Sequence, residues 1–566
     1  MRAKLRHILN LPVRGRSDGL NSAGKLADAR TGYYRYLAFL ANCRRIGTLT
    51  LLLPLAACLL GPDFKDPPAP ISEKFLKAAG PALADAQDYR DWWKSFHDPV
   101  LNHLIELAYA QNLTLMGAGT QVLQARAALG IAIGEFYPQS QEAGGGLKYS
   151  GQSRTDPLST PLAPRYFWRD NLGLGVAWEL DFWGKFRRGV ESADAAYLAS
   201  IATYDDVLVT LLGDVTTTYI GIRTTQRQIE IAKDNVLKQR KALEVAQARY
   251  TGGAASKLAV YQAENVLGQT EAAIPQLQIQ LDHGLDALRL LLGMPPQSLD
   301  ALLSGSSGIP VPPTYVAVGI PADLIRRRPD IRAAELQAAA QSAQIGMAEA
   351  DLYPAFSLTG AFGSAASNVR GAKLSDVFTG KGILFGFGPS FSWNILNYGQ
   401  ITNNVRVQDA KLQQLLLNYQ NTVLTAQKDV EDGLATFLDS QTQVAHLRES
   451  VVAANAALRI ALTEFNLGTR DFTTVLTAEQ NLYSAQNALA VASGNVSSGL
   501  TEVFRALGGG WQIRDGNEFV PPAVRDEMRA RTNWGDVLPP AGQPQPPAPG
   551  LPSSQDIGPR VRAPEW

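Results

Sequence analysis

Cysteine is nearly absent from this chain of 566 residues: only Cys43 and Cys58 occur, both near the N-terminus. The rest of the chain therefore has no thiol for a disulfide framework or for nucleophilic catalysis. Charge is sparse as well. Lys+Arg and Asp+Glu each number 52, so the formal net charge is zero, and charged residues make up 18%. No net field draws the chain to nucleic acid. The low charge is not matched by a long apolar run, since eighteen consecutive apolar residues occur nowhere, which argues against a transmembrane helix. The five histidines, His7, His97, His103, His283 and His446, are scattered without metal-ligand spacing. Phosphate loops of the GxxxxGKS or GxxxxGKT kind and GxSxG elbows are missing too. These absences leave no enzyme and no cofactor in view.

Proline is missing from two long stretches, Arg165 to Ile274 and Ser390 to Val520. Within the first, Val190, Ala193, Tyr197, Ile201, Tyr204 and Leu208 begin a series spaced by 3 or 4 that runs to Ile222. Val405, Gln408, Leu412, Leu415, Tyr419 and Val423 begin its counterpart, which runs to Phe437. That spacing predicts helices, and a helix from Gly189 to Tyr250 would be ~90 Å long. Such a helix belongs to an extended coiled bundle rather than a compact core. Its seam is rich in Ala, Thr and Gln, which suits close side-by-side packing.

Each long helix is broken once. "YTGGAASKLAVYQAEN" (Tyr250 to Asn265) and "FNLGTRDFTTVLTAEQ" (Phe465 to Gln480) align with a spacing of 215 residues. Tyr250 pairs with Phe465, Gly253 with Gly468, Val260 with Val475 and Glu264 with Glu479. Gly tolerates the left-handed conformation that closes a helix. Ser256 and Asp471 stand where the next helix needs a cap. Both breaks read as tight turns at the ends of helical hairpins, so the chain is a two-fold repeat.

Upstream of each long helix the period changes. In "NLGLGVAWELDF", Leu172, Leu174, Val176, Trp178, Leu180 and Phe182 alternate with small or polar residues. Phe385, Phe387, Pro389, Phe391, Trp393 and Ile395 repeat the pattern with the same parity. This alternation predicts strands with one apolar face, with shorter partners around Gly146–Gly151 and Phe356–Ser364. A helix over about Asp98 to Glu135 precedes the first pair and ends at Tyr137-Pro138; its counterpart ends at Tyr353-Pro354. Four strands are too few for a good sandwich and too few for a barrel, whose smallest form has about eight. A barrel requires several chains, and a trimer would supply twelve strands.

The N-terminal region has the layout of a secretory signal. "LTLLLPLAAC" follows the basic pair Arg44-Arg45 and ends in Leu55-Ala56-Ala57-Cys58, which resembles a bacterial lipobox. The match implies cleavage before Cys58 and its acylation, and Leu59 in the next position implies the outer membrane. The segment from Val537 carries nine prolines among its thirty residues and reads as a disordered tail.

Together these motifs resemble the TolC-like outer-membrane efflux proteins, in their lipid-anchored OprM/NodT branch. The lipobox, twin Tyr-Pro strand entries, Trp183-Gly184 and Tyr398-Gly399 strand exits and twin Gly-centred tips carry the resemblance. "LIRRRPDIRAAELQ" at Leu324 to Gln337 adds to it. The resemblance covers about residues 58 to 510. It implies an α+β membrane protein in which a long α-helical coiled-coil barrel joins a transmembrane β-barrel of twelve strands. That barrel is shared by a homotrimer, four strands per chain.

The expected organisation is a leader at 1–57, a lipidated extended segment at 58–97 and a first repeat at 98–292. An equatorial linker at 293–323, a second repeat at 324–494, an equatorial segment at 495–535 and the tail at 536–566 follow. The barrel's lipid face is expected to carry Leu172, Leu174, Val176, Trp178, Phe387, Phe391 and Trp393. By the resemblance the chain is a passive exit duct for drugs or other small toxic compounds, working with a periplasmic adaptor and an inner-membrane pump of the RND type. A duct for ATP-driven export of protein or polysaccharide would look the same. A structural coiled-coil surface lipoprotein would leave the alternating strands unexplained.

The adaptor contacts implied are Gly252, Gly253, Ala254 and Ser256, with Leu467, Gly468, Thr469, Arg470 and Asp471. A periplasmic constriction would involve Phe465, Arg470, Thr474 and Thr477. Relatives carry carboxylates near the last two positions, where this chain has hydroxyls. Closure is therefore expected to depend on an Arg470 network, with Asp471 and Glu479 as inter-subunit partners, and on packing by Phe465 and Phe472.

Overall fold

The computed structural model describes residues 59–72, 75–76, 89–153, 164–306, 308–313 and 327–538. The expected leader, Cys58, residues 314–326 and the tail from 539 lie outside them. Helices α1 (Pro99–Gln111) and α2 (Leu113–Glu135) lead to strands β1 (Ser140–Gly151) and β2 (Tyr166–Leu180). A long hairpin of α3 (Lys185–Thr251) and α4 (Lys257–Leu291) completes the first copy. The second copy is α5 (Pro329–Ala350), β3 (Ala355–Ser367), β4 (Ile383–Ser392), α6 (Gln400–Asn466) and α7 (Phe472–Ala506). A short helix, α8 (Pro522–Arg531), follows.

In the hairpins the repeat is regular to the residue. Helices α3 and α6 have 67 residues each, and α4 and α7 have 35 each. At ~1.5 Å per residue the longer pair extends ~100 Å. Gly184, Gly253 and Gly293 have positive φ, as do Gly399, Gly468 and Gly508, their counterparts 215 residues on.

Several boundaries differ from expectation. The helix expected over 98–135 is two helices, because Asn112 takes an extended conformation between them. Its side chain accepts from Leu115 N–H and donates to the Leu291 carbonyl at 2.8 Å, which caps the break. The segment expected to be extended to residue 97 contains a 3₁₀ turn, Trp92–Phe96, whose three aromatic residues are buried. The second repeat does not end at 494, since α7 continues without a break to Ala506. Strand β4 stops at Ser392, so Trp393 and Ile395 lie beyond it.

The main core lies where α1, α3 and α7 meet the 3₁₀ turn. Leu208, Leu212 and Tyr219 of α3 join Trp92, Trp93 and Phe504 there, with Trp92 stacked on Phe504 at 5.3 Å. Each such side chain contributes ~1.5–3 kcal/mol on burial. The hairpins pack through small residues. A Cβ on Gly499 of α7 would lie 2.7 Å from the Phe437 nitrogen of α6, so these backbones nearly touch. The core and this close packing hold the long hairpins in register, and their far ends form a second cluster with Phe465, Phe472, Val475 and Leu476.

Candidate functional site

The four strands form one antiparallel sheet in the order β1-β2-β3-β4, with β2 and β3 pairing across the two copies. Residues paired across strands share a face. One face carries the rows Ala143–Leu174–Phe362–Phe385, Gln141–Val176–Gly360–Phe387, Trp178–Leu358–Pro389 and Leu180–Phe356–Phe391, apolar but for Gln141. The other carries Glu142–Gly175–Ala361–Gly386, Ser140–Ala177–Thr359–Gly388 and Glu179–Ser357–Ser390. The register thus gathers most of the apolar residues of both copies on one side; Phe167 and Leu384 fall on the other. Leu172, Leu174, Val176, Phe387 and Phe391 are exposed there, Phe387 by 77%.

Aromatic residues mark both ends of this face. At one end Tyr149 packs on Tyr166 and Trp168 at 6.1 and 5.0 Å. Near the other, Trp178 and Trp393 donate their indole N–H to the carbonyls of Phe136 and Leu352 at 3.3 and 3.0 Å. From Trp168 to Trp178 the strand rises ~33 Å, or ~25 Å at a tilt of ~40°. That matches the apolar band of an outer-membrane barrel, flanked by aromatic girdles.

Where the sheet meets the helices, Arg188 is almost wholly buried and grips the start of the described chain. It donates to the carbonyls of Leu60 and Gly61 at 3.0 and 3.2 Å, and pairs with Asp63 and Glu191 at 2.8 and 2.7 Å. Leu60 N–H donates to the Trp183 carbonyl at 3.2 Å. Farther on, Gln427 of α6 donates to the Pro70 carbonyl at 2.9 Å, so the segment runs on to α6.

The two tips lie together at the opposite end of the hairpins. Each closes with the same paired bonds: Gly253 N–H to Tyr250 and Ala254 N–H to Arg249, then Gly468 N–H to Phe465 and Thr469 N–H to Glu464. This is the Schellman pattern, and it needs a left-handed residue, met by φ of 75° at both glycines. Ser256 and Asp471 occupy the N-cap positions with extended backbone, but neither side chain makes the capping bond expected of it. Gly252, Gly253, Ala254, Ser256, Leu467, Gly468, Thr469, Arg470 and Asp471 are all exposed.

Beneath the turns, Phe465 and Phe472 are buried with ring centres 5.0 Å apart. Arg249 covers Phe465 and joins the two tips, its guanidinium 4.3 Å from the Phe465 ring centre and donating to the Asn466 carbonyl at 2.8 Å. Arg470 pairs with Glu464 of its own tip at 3.3 Å. Glu479 is buried within the protomer and so is not placed to pair with a neighbouring subunit. Thr474 and Thr477 are exposed and line a groove of about 930 Å³ between α6 and α7. Its walls are Ala, Ser, Thr, Asn and one Leu, without a charge.

Arg249 was not singled out by the sequence, although a signal for it exists. Its counterpart 215 residues on is Glu464, a charge reversal at one repeat position. The Arg-rich motif has a structural role: Arg328 bonds Asp330 and the Ala506 carbonyl at 2.8 Å each, tying the end of α7 to the start of α5. Among the described residues no group of three or more His, Cys, Asp or Glu is placed to hold a metal.

The family model for outer membrane efflux proteins matches residues 104–294 and 320–509, one stretch for each copy. Nodulation protein T of Rhizobium leguminosarum bv. viciae is 31% identical over 490 residues, which cover 86% of this chain and 96% of that protein. The pyoverdine export outer membrane protein OpmQ of Pseudomonas aeruginosa is 30% identical over 473 residues, covering 81% and 96%. Among solved structures, the outer-membrane channel OprN matches at a TM-score of 0.74 and 30% identity, over 80% of this chain and 100% of its own. With two internal copies matched in turn and the sheet and hairpins repeated in each, the chain belongs to the outer membrane efflux protein family.

Proposed function

We propose that the chain is one third of a trimeric channel that spans the outer membrane of a Gram-negative bacterium and extends into the periplasm. The observation that carries this reading is the sheet itself. Its apolar face is open, and among the described residues its edge strands β1 and β4 each pair on one side only. Open edges must be closed or covered to avoid uncontrolled pairing. Three copies joined β4 to β1 supply twelve strands, enough for a closed barrel, where four cannot close one. The α3–α4 and α6–α7 hairpins of three copies then supply the walls of a helical tunnel, banded by residues 293–323 and 495–535. Acylation at Cys58 anchors the chain on the same membrane.

The duct is passive: energy comes from an inner-membrane pump of the RND type, reached through a periplasmic adaptor that docks on the exposed tips. Drugs and other small toxic compounds are the cargo class we infer. Thr474 and Thr477 make the periplasmic constriction neutral, with Phe465 and Arg470 bracing it.

Outer-membrane fractions should yield heat-modifiable trimers that conduct ions in planar bilayers; monomers without conductance would refute the channel. Photocrosslinkers at residues 253 and 468 should capture the adaptor, and their failure to do so would refute the docking surface. Palmitate labelling lost in Cys58→Ser tests the anchor.

A further inference from the structure

In the seam between α3 and α7, two buried side chains carry polar atoms that find no partner among the described residues. Glu479 is 3% exposed, and its Oε2 makes no hydrogen bond. Gln239 is also 3% exposed, and neither its Nε2 nor its Oε1 is paired. The antiparallel register is set by Gly213 against Arg505, Thr224 against Gly494 and the 2.9 Å bond from Asn235 to Gln486. That register brings Gln239 to the level of Glu479, with no hydrogen bond yet made between them.

The surroundings offer Glu479 almost nothing else. On α7 it lies in the buried stripe of Val475 and Leu482, beside the apolar cluster to which α6 brings Leu458 and Ala461 and α4 brings Val266. Among the described residues the one charge acting on it is Lys238 of α3, itself held by Asp234 at 2.6 Å. A carboxylate can only accept hydrogen bonds, whereas the acid can also donate one to the Gln239 carbonyl and accept from its amide. Glu264, the counterpart of Glu479 in the first copy, is exposed, so the repeat alone does not account for the burial.

We propose that Glu479 is a proton-operated latch: as the acid it pairs with Gln239 and holds α3 against α7, and as the carboxylate it loosens that seam and frees the tip. That the freed tip is the mouth of a channel rests on the function proposed above; the latch itself does not.

Burial pushes the Glu479 carboxyl up to about 7, against the smaller opposing pull of Lys238. In an opened seam the same group returns to the ordinary carboxylate range. Closure therefore holds a proton that opening releases, and the closed seam loses stability as pH rises from that range through about 7.

Amide hydrogen exchange on the full-length protein in detergent, read over residues 472–486 and corrected for intrinsic rates, tests this. Wild-type protection should fall about tenfold between pH 6 and pH 8. Glu479→Gln should keep the pH 6 protection at both values. A flat wild-type profile, or an equal fall in Glu479→Gln, overturns the latch. Lys238→Met changes an exposed side chain and should move the midpoint to higher pH, because the cation favouring the carboxylate is gone. A midpoint that stays in place also overturns it. Exchange reads the seam alone, so its failure leaves the channel reading standing, and absent conductance leaves the latch standing.

Discussion

Arg249, in the last turn of α3, caps the ring of Phe465 at 4.3 Å, and so one copy of the repeat covers the aromatic core of the other copy's tip. Its repeat counterpart, Glu464, instead pairs with Arg470 beside it at 3.3 Å. The two arginines of the tip therefore have different roles, one bridging the copies and one local.

Arg249→Ala should loosen the tip more than Arg470→Ala. The first removes a cation–π contact and an exposed hydrogen bond, together ~1–2.5 kcal/mol. The second removes an exposed pair worth ~0–1 kcal/mol. In planar bilayers, Arg249→Ala should give the larger rise in single-channel conductance. A larger rise in Arg470→Ala would return closure to the Arg470 network expected from the sequence.

Gly468→Ala tests the turn. Its Cβ would meet open space, so the cost is backbone alone, ~1–2 kcal/mol for a left-handed residue. Amide exchange over residues 464–472 should quicken ~5- to 30-fold. Gly468→Asn should lie between alanine and wild type. An unchanged rate in Gly468→Ala would mean the turn adopts another conformation.

Gly499→Ala tests the close approach of α6 and α7. The added carbon would meet Phe437 backbone, which cannot move aside as a side chain could. Overpacking of this kind costs ~1–3 kcal/mol, read as a lower melting temperature. Gly189→Ala is the control, because its Cβ would lie 3.5 Å from the end of Met347 and should be tolerated.

Arg188→Ala should free the segment after Cys58. Hydrogen bonds to charged groups contribute ~1.5–3 kcal/mol each, and Arg188 makes one with Asp63 and one with Glu191 besides its two carbonyl contacts. Limited proteolysis should then cut within residues 59–72, which the wild type protects. Arg188→Lys should not restore protection, since an ammonium cannot reproduce the planar fork. Protection restored by lysine would reduce the clamp to a point charge.

Much of the fold was legible because it is written locally. Alternation from Leu172 to Leu180 shows a strand, since successive side chains point to opposite faces. Gly253 and Gly468 show the turns, since few other residues accept φ of 75°. Asn112 was legible only in part: an N-cap bond to Leu115 is local, but its second bond is to Leu291, 179 residues away. The aromatic turn Trp92–Phe96 was missed for a like reason: five residues carry too little periodicity to reveal what they pack against.

By itself the sequence determined the two-fold repeat, the order of strand and helix in each copy, and the exposed tips. These follow from spacing and backbone preference along a single segment. Only the tertiary structure decided which member of each repeated pair does what. Arg249 bridges while Glu464 turns to Arg470, and Glu479 is buried while Glu264 is exposed. At 249 and 464 the charge reversal marks a difference without saying what each side chain meets, and at 264 and 479 the residue is the same, so what each does comes from the helix lying opposite, set by register between segments hundreds of residues apart.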